Sequence, residues 1–170
     1  VRVDLDHGDH VRNYFLRVPA SAGPDAPVLV GLHGGGPGGA AKGRRFGTFS
    51  GWDEIVDREG WIGVYPSSLS GNWEDGREGI LGSDDVAFLD AVLEDVAARA
   101  SIDPERVYVT GASNGGFMTQ RLLCERPERY RAGYSVIATM PAGLPDTCAP
   151  DRPVSVAFNV GTEDPLVPYE

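Results

Sequence analysis

Apolar and polar residues alternate over residues 11–18, and the run stops at Pro19, which predicts a strand buried on one face. Residues 28–32, Val-Leu-Val-Gly-Leu, form a short unbroken apolar run, as in a strand covered on both faces. A helix is predicted over residues 50–59, closed by Gly60, then a second buried strand over 61–65, stopped by Pro66. Residues 67–83 read as a polar loop carrying Asn72 and Trp73. The clearest helix follows: Ser83 or Asp84 caps it, and Val86, Leu89, Val92, Leu93, Val96 and Ala100 make one stripe at helical spacing. Residues 102–105 read as a connector, 106–110 as a strand, 115–125 as a helix, and 132–138 and 154–160 as two more strands. Strands alternating with helices predict a mostly parallel sheet with helices on both faces, a three-layer α/β arrangement in a single domain over residues 1–170.

The chain has 170 residues, enough for one domain with a real core. Its 23 glycines and 13 prolines suit many strand-to-helix loops. A net charge of −10, with Lys42 the single lysine, argues against nucleic acid and anionic membrane as partners and mildly favours neutral ester substrates. No apolar run reaches the length of a membrane span, and residues 1–4 show no signal-peptide pattern, so an export signal is expected to be absent or already removed. Cys124 and Cys148 fit neither a metal-ligand nor a CxxC spacing, which leaves two buried thiols or one disulfide. No metal or organic cofactor is expected.

The chemistry concentrates in Gly111-Ala112-Ser113-Asn114-Gly115, which follows an apolar strand and precedes a helix-compatible stretch. A Gly-x-Ser-x-Gly turn in that context pushes the serine Oγ out above the sheet, and the backbone N–H of Asn114 points to the reacting carbonyl. Upstream, His33-Gly34-Gly35-Gly36 follows a strand, where glycine amides can serve an oxyanion. Gly34 and Gly35 are the donor candidates and His33 a loop anchor rather than a base. The spacing Gly34-x-Gly36-x-x-Gly39 also fits a dinucleotide fingerprint, but Pro37 and the leading His33 fit it poorly. Asp164 follows a late buried strand, where the chain order Ser, Asp, His requires an acid. The paired Asp84 and Asp85 stand at a helix start and read as caps. Trp73 with Asn72, and His33 behind the loop, either line the substrate pocket or pin the loop.

Together His33-Gly34-Gly35-Gly36, Asn72-Trp73, residues 84–89, 106–116 and 161–169 resemble the polyhydroxybutyrate depolymerase-like and feruloyl or acetylxylan esterases of the α/β-hydrolase superfamily. The resemblance implies Ser113 as nucleophile, Asp164 as triad acid, acyl, aryl or polyester substrates, and a Cys124–Cys148 disulfide. A secreted or periplasmic location is then expected, with the cytoplasm as the alternative. Two departures stand out: Val160 occupies a position where similar proteins carry histidine, and the three histidines, His7, His10 and His33, all precede Ser113. The family's base lies beyond one further strand. The chain is therefore expected to be part of a longer esterase lacking its C-terminal strand and helix, to borrow a base from a second subunit, or to be an inactive esterase-derived binding or scaffold module. His7 and His10 are expected far from the carboxyl edge of the sheet. An exposed final strand is expected to favour homo-oligomers.

Overall fold

The computed structural model describes residues 1–37, 39–77, 83–141 and 143–169. Gly38 of the glycine run and residues 78–82 of the long polar loop lie outside the described residues. Seven strands form one sheet in the order β1-β2-β4-β3-β5-β6-β7. They are β1 (Arg2–His7), β2 (His10–Arg17), β3 (Ala26–Leu32), β4 (Ile62–Ser67), β5 (Ile102–Ala112), β6 (Ala132–Val136) and β7 (Ser155–Asn159). The five strands from β4 to β7 along the sheet run parallel, while β1 and β2 form an antiparallel hairpin against β4.

One face carries α3 (Asp85–Arg99) and α4 (Asn114–Glu125). Val28, Val30 and Leu32 meet Val107 and Val109 there, beneath Val92, Val96, Met118 and Leu122. Asp84 caps α3, its carboxylate accepting from the Ala87 amide at 3.2 Å. The other face carries α1 (Lys42–Phe49) and α2 (Trp52–Glu59), packed close because glycine lines it. A Cβ on Gly31, Gly47 or Gly63 would come within 2.7–2.8 Å of the Tyr65 side chain, so Tyr65 fills the space those glycines leave.

Several elements differ from the sequence reading. β1 was not expected, because Arg2-Val3-Asp4-Leu5 is too polar to signal a strand; pairing with β2 makes it one, with Val3 alone buried. The helix expected over residues 50–59 is α2, which starts at Trp52 because Gly51 at φ 78 caps it, and α1 before it was not expected. The connector over residues 102–105 is the start of β5, recruited by an Ala26–Ile102 pairing across an irregularity in the ladder. β6 stops at Val136 because Ile137 takes φ 52, and the short α5 (Leu144–Thr147) carried no pattern. Asp85 does more than cap: it is fully buried, paired with Arg12 at 2.5 Å, and accepts from the Glu74 amide at 2.7 Å.

Candidate active site

Ser113 stands between the end of β5 and the first turn of α4, at φ 53 and ψ −122. A non-glycine residue there carries strain of about 1–3 kcal/mol and persists only where its surroundings impose it. Its N–H donates to the Val136 carbonyl at 2.8 Å, and its own carbonyl accepts from Gly116 and Phe117 at 2.7 and 3.0 Å. The glycines of the motif are required by contact. A Cβ on Gly111 would strike the Gly115 carbonyl, one on Gly115 would lie 2.6 Å from the His33 oxygen, and one on Gly116 would lie 2.7 Å from the Ala138 methyl.

The glycine loop lies against this turn. A Cβ on Gly34 would sit 3.7 Å from the Ser113 Cβ, and one on Gly35 would sit 3.4 Å from the Asn114 Cβ. Two buried contacts set the loop's peptide planes. The His33 carbonyl accepts from Trp73 Nε1 at 2.9 Å, and the Gly34 carbonyl accepts from His33 Nδ1 at 2.8 Å. In a trans peptide the N–H points opposite to the C=O, so the Gly34 and Gly35 amides turn away from these anchors. No hydrogen bond among the described residues engages the backbone N–H of Gly34, Gly35 or Asn114.

His33 is 3% exposed, its Nε2 accepts from the Ser68 amide at 3.0 Å, and burial lowers its pKa to about 4. With both ring nitrogens engaged and the ring neutral, it has no free site for a serine proton. Trp73 is 0% exposed and stacks on His33 with centroids 4.8 Å apart. His33 and Trp73 are thus buried against the loop's carbonyl side, the anchoring arrangement of the two that the sequence left open.

Three contributors, the Asn114 side chain, Asp75 and Lys42, had no sequence signal, and Asn72 joins them. The Asn114 side chain accepts from the Trp73 amide at 2.6 Å and donates to the Trp73 carbonyl at 3.0 Å and to Asp75 at 2.6 Å. Asp75, buried, also holds Arg77, whose guanidinium lies 3.8 Å over the Phe117 ring. Lys42 and Asn72 fasten Gly36. Each depends on contacts between loops far apart in sequence, which no local periodicity reports.

Asp164 follows β7. Because β5, β6 and β7 are parallel and in register, with Ala112 opposite Val136 and Val136 opposite Asn159, its turn is on the same sheet edge as Ser113, two strand spacings or about 10 Å across. Its Oδ1 accepts from the Leu166 and Val167 amides at 2.8 and 3.0 Å, and those N–H groups, Val167 foremost, hold its pKa below the usual carboxylate range. The hairpin placing His7 and His10 is on this edge too, since Asn13 of β2 pairs with Ser67 at the carboxyl end of β4. That overturns the expectation that the edge excludes them; distance does instead. β2 and β5 are three spacings apart, about 14 Å, with β1 farther out.

Cys124 on α4 is joined to Cys148, Cα atoms 5.4 Å apart. Among the described residues no group of three or more His, Cys, Asp or Glu could hold a metal ion, and no helix is long and apolar enough to cross a membrane. A separate cleft of about 970 Å³ is lined by Phe15, Arg17, Arg44, Asp53 and Tyr65. Its charges are paired with one another, Arg17 with Asp57 and Arg44 with Asp53.

Residues 67–142 match the Prolyl oligopeptidase family. Poly(3-hydroxyalkanoate) depolymerase C of Paucimonas lemoignei is 33% identical, over 79% of this chain and 32% of that protein. Feruloyl esterase C of Emericella nidulans is 28% identical, over 94% of this chain and 57% of that protein. The crystal structure of a thermostable esterase superposes with a TM-score of 0.78 at 19% identity, covering 99% of this chain and 48% of that one. The chain thus spans from a third to somewhat over half the length of these proteins. The parallel sheet with its strained serine turn, and the esterases it resembles, place the chain in the α/β-hydrolase superfamily, similar to that superfamily's carboxylic ester hydrolases.

Proposed function

We propose that the protein is a serine carboxylic ester hydrolase acting through an acyl-serine intermediate on short acyl, aryl or polyester substrates. The observation that carries this is the Ser113 turn, held at φ 53 directly beside the glycine loop. Ser113 Oγ attacks the ester carbonyl and loses its proton to a base. The oxyanion that forms is held by the Gly34, Gly35 and Asn114 amides, which carry no other hydrogen bond among the described residues. The intermediate collapses as the C–O bond breaks and the base protonates the leaving alcohol, and water repeats the sequence to free the acid.

Asp164, kept ionised by its two amides, orients the base and stabilises its charged form. The base is none of the chain's three histidines: His33 is buried and fully bonded, and His7 and His10 are several strands away. This same observation favours a second reading, in which the chain by itself is an impaired esterase or an ester-binding or scaffold module. The disulfide supports an oxidising location, secreted or periplasmic. β7 closes one end of the sheet and all five of its residues are exposed, which supports association of two copies along that edge.

The test is hydrolysis of p-nitrophenyl butyrate together with labelling by a fluorophosphonate, each compared with Ser113→Ala. Labelling and turnover that vanish in Ser113→Ala support the esterase. Labelling without turnover supports the impaired form. Absence of both overturns the esterase reading and leaves the binding or scaffold module.

A further inference from the structure

Lys42, the single lysine, opens α1 with its side chain inside the protein, 9% exposed. Its Nζ donates to the carbonyls of Gly36 and Gly71, each at 2.6 Å. No ion pair among the described residues includes it, so its ammonium is held by carbonyl dipoles alone. Burying an ammonium without a counter-charge is unfavourable, and a cation kept in such a place is held for its position.

Its position is the junction of two loops. Gly36 is gripped at both ends of its backbone, its N–H by Asn72 Oδ1 at 3.1 Å and its carbonyl by Lys42. Gly71, at φ 91, comes so near that a Cβ there would lie 2.5 Å from the Gly36 oxygen. The adjoining Trp73 is fastened by the side chain of Asn114 and donates in turn to the His33 carbonyl. The anchors for the His33 and Gly34 carbonyls therefore hold the start of the glycine loop and Lys42 holds it at Gly36. Without Lys42, the segment after Gly35 is held, among the described residues, by Asn72 alone, and the planes carrying the Gly34 and Gly35 amides keep their own anchors but lose the fixed end of the loop against which they are set.

We infer that Lys42 is the positioning residue of the oxyanion loop: it joins Gly36 to Gly71 and so keeps the Gly34 and Gly35 amides directed at Ser113. This rests on the serine esterase reading. Lys42 touches no substrate and acts through the backbone. An error of an ångström in donor placement is enough to slow the step in which negative charge develops, while leaving capture of the neutral ester nearly unchanged.

The experiment measures fluorophosphonate labelling of Ser113 in the native chain, Lys42→Met, Asn72→Ala and Lys42→Cys, resolving the limiting rate from the concentration at half saturation. Lys42→Met is expected to lower the limiting rate about 10- to 100-fold with half saturation changed less than about twofold. Aminoethylation of the Lys42→Cys thiol, which rebuilds an ammonium of nearly the same reach, is expected to restore most of the rate. Asn72→Ala, which frees the Gly36 N–H, is expected to slow labelling in the same way and stands in if Lys42→Met does not fold. Unchanged limiting rates in the folded variants, or a loss that aminoethylation does not reverse, overturn the inference while leaving Ser113 as nucleophile. No labelling of the native chain overturns the esterase reading and this inference with it.

Discussion

The serine half and the acid half of the candidate site are built very differently. Around Ser113 the backbone is fixed from every side: Val136 holds its amide, three glycines admit close neighbours, and Trp73, His33 and Asn114 lock the facing loop from within. Asp164 instead follows a strand whose residues are all exposed, with Val156 and Phe158 each 41% accessible, and among the described residues its carboxylate bonds to amides of its own turn. Ser113 and the candidate oxyanion donors can thus be set by this chain's own core. The acid follows β7, which pairs with β6 in the described residues. Prearranged geometry is expensive in strain and buried polarity, and it is found where packing on both faces can sustain it.

Substitution offers direct ways to break this contrast. Trp73→Ala should have the largest effect, about 3–5 kcal/mol of stability in urea unfolding, because it empties a fully buried site and strands the His33 carbonyl. Gly115→Ala should follow at about 2–3 kcal/mol, since the new methyl meets the backbone carbonyls of Leu32 and His33, which cannot yield as a side chain would. A loss below about 1 kcal/mol for either would show that the serine half is more pliable than its packing indicates.

His33 sharpens the contrast through pH. Its folded pKa of about 4 lies below the unfolded value near 6.5, so between these the unfolded chain binds the extra proton. Stability is therefore full above about pH 6.5 and falls as pH drops toward 4, by up to about 3 kcal/mol from this residue. Unfolding titrations of the native chain and His33→Gln should differ in slope within that window and run parallel above it; equal slopes throughout would mean His33 is not held neutral. The smallest effect belongs to β7. Val156→Lys with Phe158→Lys should change monomer stability by no more than about 0.5 kcal/mol per site, yet move the chain to a smaller species in size-exclusion chromatography if copies pair along that edge. Elution at the monomer position before and after substitution would remove the edge as an association site.

Much of this was legible in the sequence, because buried strands and helix stripes write their burial into composition. The apolar run of β3, the stripe of α3 and the strand-turn-helix around Ser113 occupy the expected positions, β4 runs on through Pro66 to Ser67 because β2 pairs with it there, and the glycines flanking Ser113 follow from local geometry. β1, α1 and the recruitment of residues 102–105 into β5 were not legible, since each depends on a partner segment. The same division runs through the site. Residue types and their order along the chain pick out Ser113, Gly34, Gly35 and Asp164 as a constellation. Tertiary structure alone decided that His33 faces inward as a neutral anchor, that Trp73 pins rather than lines, that Asn114 binds through its side chain, and that Lys42 reaches two loops at once. Those roles arise from hydrogen bonds and desolvation between segments distant in sequence, and such terms exist only once the chain has folded.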